Sequence, residues 1–147
     1  MEETSPAGPA RILALDVGSR TIGLAVSDPL GITAQGLPTI RRRNRKNDFD
    51  QLRRVIRKYA VAELVVGLPV RMSGVEGVQA EKMKAFAAAL AAKFKLTVHL
   101  WDERLTTAEA QRVLRQTDMS IKRRAQVVDQ LAATLILQSF LQATKNR

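Results

Sequence analysis

The chain has no cysteine. It therefore holds no disulfide and no thiolate metal site, and the absence suits a reducing compartment. Rings are scarce as well: aromatic residues make up 4% of the chain, with one tryptophan and one tyrosine. That leaves little for a platform on which bases would stack. There is a single histidine, His99, so covalent catalysis by a histidine-activated nucleophile has little to work with. No apolar run reaches the length that crosses a bilayer. The opening MEETSPAGPA lacks the basic and then apolar regions of a signal peptide. The expectation is a soluble cytoplasmic protein without a membrane partner, with residues 1–10 as a disordered tail. Acidic residues are also few, 14 against 24 lysines and arginines, for a net charge of +10. Such a balance suits a polyanion, nucleic acid first. The plainer alternative is an ordinary enzyme that is basic.

The 147 residues, 46% of them hydrophobic, suffice for one domain with a proper core. RILALDVG (11–18) and TIGLAVSD (21–28) read as two strands around a tight glycine turn. AQGLPTIRR (34–42) is a third, and Pro38 argues for a sheet edge. In 47–60, Phe49, Leu52, Ile56 and Tyr59 recur at helical spacing. A buried strand at 62–69 follows, then a loop at 70–77. An alanine-rich helix at 78–95 carries Met83, Phe86, Leu90 and Phe94 on one face. Residues 96–103 read as a strand and 106–114 as a helix, Thr106 and Glu109 having capping-box spacing. A basic connection at 115–124 leads to a last helix over 125–143. The order βββ-α-β-α-β-α-α predicts an α/β fold, a mixed five-stranded sheet flanked by helices, which is the ribonuclease H-like order.

Carboxylates stand where this order would bring them together. Asp16 ends the first strand, Asp102 and Glu103 end the last, and Asp129 lies in the final helix among Ala125, Ala132 and Ala133. Small residues let that helix face approach the sheet, and no lysine or arginine stands three or four residues from Asp129 to pair with it. If the first and last strands are neighbours, Asp16 and Glu103 open at one end of the sheet and Asp129 reaches them from above. Three converging carboxylates suit Mg²⁺ or Mn²⁺, and such ions assist phosphodiester hydrolysis. Each residue also has a plainer role. Asp16 would cap its own turn, Glu103 would pair with Arg104 or Arg20, and Asp129 would neutralise Arg123 or Arg124.

Four ordered blocks, DVGSRTIGLAVSD, VVGLPVRMSG, WDERLTTAEA and VDQLAATLILQ, closely resemble the YqgF family, also called RuvX. The family is described both as Holliday junction resolvases and as pre-16S rRNA nucleases. The resemblance spans about residues 11–142. It implies a single ribonuclease H-like nuclease domain over 11–147, a divalent-metal-dependent endonuclease acting on pre-rRNA or branched DNA. It places the catalytic, metal-binding carboxylates at Asp16, Glu103 and Asp129, with Asp102 supporting them. A monomer and a homodimer both stay open.

Other features are weighed beside this. Asp16, Gly18 and Gly23 also fit the first phosphate loop of actin-like and sugar-kinase-like phosphotransferases. Those close two domains over ATP, and 147 residues supply one. A non-catalytic rRNA-binding module is the third reading. Arg20, beside Asp16, and Arg104 are candidates to touch the substrate phosphate. Lys122, Arg123 and Arg124 would line the rim of the site, and 40–58, with nine basic and two acidic residues, would track phosphates. His99 and Trp101 read as structural.

Overall fold

The computed structural model describes residues 11–68, 75–102 and 121–145, with side chains for all of these but 75–76, 121–129 and 145. The helix expected at 106–114, residues 70–74 of the loop expected at 70–77, the tail at 1–10, Glu103 and Arg104 lie outside the described residues, and 75–77 belong to a helix.

Strands β1 (Arg11–Val17), β2 (Thr21–Ser27) and β3 (Ala34–Arg41) form an antiparallel meander. Helix α1 (Arg45–Lys58) leads into β4 (Val61–Leu68), and α2 (Val75–Phe94) into β5 (Thr97–Asp102). Helix α3 (Ile121–Lys145) closes the order. The sheet runs β3-β2-β1-β4-β5, with β4 parallel to both β1 and β5. β3 is an edge, as Pro38 suggested, because proline removes one ladder donor.

Two expectations are corrected. β1 and β5 are not neighbours; β4 lies between them. Helix α1 carries the chain from the edge strand β3 to β4, which takes the place beside β1, and α2 carries it on to β5 in the next position outward. The three parallel strands still end at one side of the sheet. The last helix begins at Ile121, so Lys122, Arg123 and Arg124 belong to its first turn rather than to a connection.

Alternation along β1 divides the core in two. Leu13 and Leu15 join Ile22 and Leu24 of β2 against Phe49 and Leu52 of α1 and Met83, Phe86 and Leu90 of α2. Ala14 joins Ala25 and Val65 against Ala133, Ile136, Leu137 and Phe140 of α3. Each fully buried leucine contributes about 1.5–3 kcal/mol. The α1/α2 side, rich in leucine and phenylalanine, therefore carries most of the apolar stabilisation. The α3 side is built from smaller groups, and it is there that the sheet accommodates a polar site.

Candidate functional site

Asp16 is the sixth of the seven residues of β1. It is two positions beyond Ala14, so it shares the face covered by α3. Its partner across β2 is Gly23. On the other side Leu15 pairs with Val66, so the next residue, Gly67, comes alongside Asp16. Gly67 in turn pairs with Trp101 of β5. Gly67 is two residues from Val65, which packs against α3. One row across the sheet thus reads Gly23, Asp16, Gly67, Trp101. The half-buried carboxylate stands between two residues without side chains, on a shelf bounded by the indole. Trp101 donates from Nε1 to Ser139 Oγ at 3.0 Å and meets Phe140 edge-on at 5.4 Å. It is a wall of the site held by α3, in keeping with the structural reading, and not a free stacking surface.

The turn after Asp16 is fastened from outside. The Gly18 amide donates to the Thr21 carbonyl at 2.8 Å. Arg42, just past β3, donates from one terminal guanidinium nitrogen to the Gly18 carbonyl at 2.7 Å, and its amide donates to the Arg20 carbonyl at 2.8 Å. Arg42 Nε donates to Asp48 Oδ2 at 3.1 Å, and the Arg43 amide donates to Asp48 Oδ1 at 3.0 Å. Asp48 is 1% exposed. A carboxylate this deep requires its charge and lone pairs to be met, and it is met three residues into α1, where the helix dipole also favours a negative group. The sequence reading took Arg42 as one of a run of basic residues. The only signal that sets it apart is the aspartate six positions on, and that spacing has no meaning until α1 folds back against β3.

Arg20 is exposed in the β1–β2 turn and makes no ion pair among the described residues. Lys122, Arg123, Arg124 and Asp129 lie on α3, Asp129 four residues before the buried Ala133 and seven before the buried Ile136. Asp102 ends β5 at the same end of the sheet as Asp16 and has a partner of its own. His99 Nε2 and Glu63 Oε1 lie 2.7 Å apart, and the imidazole packs on Phe140 at 4.9 Å. His99 is therefore engaged on the sheet, in accord with its structural reading. Among the described residues no three histidines, cysteines or carboxylates cluster closely enough to hold a metal.

A family model described as "RuvX: Holliday junction resolvase" matches residues 10–143. A Koribacter versatilis protein named "Putative pre-16S rRNA nuclease" is 58% identical over 90% of this chain and 86% of its own length. A Moorella thermoacetica protein of the same name is 59% identical over 89% of this chain and 94% of its own. Among solved structures, T. thermophilus RuvC in complex with a Holliday junction substrate superposes with a TM-score of 0.57 over 92% of this chain and 96% of that one, at 11% identity. The Fowlpox virus Holliday junction resolvase does so at 0.53 and 16% identity, over 90% of this chain and 99% of that one. These two likenesses bear on the fold, which is the ribonuclease H-like fold of the resolvases. The phosphotransferase reading falls away, because the family match covers nearly the whole chain. The ordered blocks, the five-stranded sheet and the carboxylate at the end of its central strand agree with that match: the chain belongs to the RuvX family, a family of nucleases.

Proposed function

We propose that this chain is a divalent-metal-dependent endonuclease, with Asp16, Glu103 and Asp129 as its catalytic, metal-holding carboxylates. Its substrate is structured RNA at the 5′ end of pre-16S rRNA, with branched DNA as the related alternative, and it works in the cytoplasm. The observation that carries the reading is the Gly23–Asp16–Gly67 row at the end where three parallel strands finish. The two glycines put no side chain of the neighbouring strands beside the carboxylate. Glu103 follows Asp102, the last residue of β5, directly in sequence. The donor set offers oxygen and no thiolate, and the one histidine is engaged by Glu63, so the site suits a hard ion such as Mg²⁺ or Mn²⁺.

When bound, such an ion lowers the pKa of a coordinated water and stabilises charge at the phosphorus. Asp16 would hold it from the sheet, together with Glu103, which follows β5 in sequence, and Asp129 of α3. Arg20, on a turn anchored by Arg42, would donate to a non-bridging phosphate oxygen as charge builds there. Arg104 and the Lys122–Arg124 turn of α3 would hold flanking phosphates. Purified protein is tested on a pre-rRNA 5′ fragment, single-stranded RNA and a four-way DNA junction, each with Mg²⁺, Mn²⁺ or chelator. The expected product carries a 5′-phosphate and a 3′-hydroxyl. Full activity in chelator, or a 2′,3′-cyclic phosphate, refutes the mechanism.

A further inference from the structure

On the opposite side of the sheet from Asp16, α1 and α2 border two adjoining clefts of about 650 and 780 Å³. Arg45 lines both, so the two parts of this α1/α2 groove meet at its side chain. Its head is the β1–β2 turn at Gly18 and Ser19, directly after the strand that carries Asp16. Six cations and one carboxylate line it, and the carboxylate, Asp50, lies 3.6 Å from Arg53. Arg45, Lys46, Lys82 and Lys93 have no ion pair among the described residues. Cations gathered on a concave surface repel one another, and that cost is offset when a polyanion lies between them.

The rings beneath argue for what the groove reads. Phe49 and Phe86 are buried. Arg45 lies over both at 5.9 Å, and Arg53 over Phe94 at 5.8 Å. The phenylalanines thus hold guanidinium groups in place and are not free to stack on bases. Such a surface contacts phosphates without reading sequence. From Arg45 to Arg53 the helix rises about 12 Å, a span of three or four phosphates at roughly 3.4 Å per nucleotide of one strand.

We propose that the α1/α2 groove is a second phosphodiester-binding track. It takes an arm of structured nucleic acid that lies beyond the stretch being cut and passes round the sheet end at Gly18–Ser19. Only the identity of the stretch on the other face rests on the nuclease reading.

The test uses the full chain carrying Arg45→Gln, Lys46→Gln, Lys82→Gln and Lys93→Gln. A control removes two exposed charges outside both the groove and residues 40–58, Lys84→Gln with Lys95→Gln, and is set against the groove pair Lys46→Gln with Lys93→Gln. Binding is measured by fluorescence anisotropy in chelator, with hairpins of short and long arm, each as RNA and as DNA. The groove variant should bind the long-arm hairpins at least tenfold more weakly, with the log–log salt slope reduced by about 0.7–0.9 per lost contact, and the short ones as the parent does. Loss on RNA alone or DNA alone supports the track and names its polymer. An equal loss in the control, or an equal loss on short arms, overturns it. If the fourfold variant does not melt cooperatively, Lys46→Glu with Lys93→Glu, both exposed, makes the same comparison. Cleavage is followed separately in Mg²⁺. A protein that binds through the groove but never cleaves supports the track and overturns the nuclease reading.

Discussion

Arg42 and Asp48 join the end of the sheet that carries Asp16 to the first helix. Arg42 Nε donates to Asp48 Oδ2 at 3.1 Å, while another nitrogen of the same guanidinium holds the Gly18 carbonyl at 2.7 Å. The Arg42 side chain is 27% exposed and that of Asp48 2%. One ion pair thereby ties α1 to the turn that follows Asp16.

Asp48→Ala should destabilise the protein by roughly 2–3 kcal/mol, somewhat below the usual cost of breaking a buried pair because Arg42 reaches solvent. Asp48→Asn keeps an acceptor and should cost about half as much. Urea denaturation measures both. The turn carrying Arg20 should loosen as well, so cleavage should fall although Asp48 is remote from the substrate. A fully stable Asp48→Ala would show that the clamp contributes nothing.

Asp16→Asn should fold as the parent does and lose its response to metal. An ion that binds only the folded state stabilises by about 2.7 kcal/mol at a hundred times its dissociation constant. The parent should therefore melt several degrees higher in Mn²⁺ than in chelator, and the variant at one temperature in both. An unchanged Mn²⁺ response in the variant removes Asp16 from the ligand set.

Gly36→Ala tests how closely α3 sits on the sheet. A Cβ there would come within 2.6 Å of Gln130 Cγ, and Gln130 Nε2 donates to the Leu37 carbonyl at 2.8 Å. The helix has to shift or give up that bond, at a cost of about 1–3 kcal/mol. Asp129 is the adjacent helix residue, so cleavage should drop more than stability alone explains. Adding Gln130→Ala should recover part of the lost stability, and a double-mutant cycle reads the coupling.

The β2–β3 turn should weaken in acid. The amides of Ile32 and Thr33 donate to Asp28 Oδ1 at 2.6 and 2.9 Å. The bond from Thr33 is the largest influence and holds the Asp28 carboxyl below its ordinary 3.8. A carboxylate with a depressed pKa adds stability that is complete above its unfolded value and is lost as pH falls through the folded one. Exchange protection of the Ile32 and Thr33 amides should therefore be flat above about pH 5 and decline below 3.8. Asp28→Asn should remove that decline. Equal acid sensitivity in the variant would place the titrating group elsewhere.

Much of this molecule is legible in its order of residues. The alternation in 11–28 shows two strands and a glycine turn, and the 3-4-3 spacing from Phe49 shows α1, because both patterns are local and each residue's face follows from its distance along the chain. Asp16 is conspicuous for the same reason, as a charge ending an apolar strand. Pro38 marks an edge because a missing N–H is a property of one residue. The start of α3 was not legible, since the basic run at 115–124 reads as a connection, whereas the helix begins at Ile121.

The sequence by itself determined the five strands, the first helix, the family and the carboxylate that ends β1. Tertiary structure alone decided that β4 separates β1 from β5, because strand order depends on pairings between distant segments that no local pattern encodes. It alone chose Arg42 from four nearly consecutive arginines to turn inward, because only that one meets both Asp48 and the Gly18 carbonyl. And it set Gly23 and Gly67 on either side of Asp16, forming the shelf from residues 7 and 51 positions away along the chain, where hydrogen-bonded register and not sequence distance defines a neighbour.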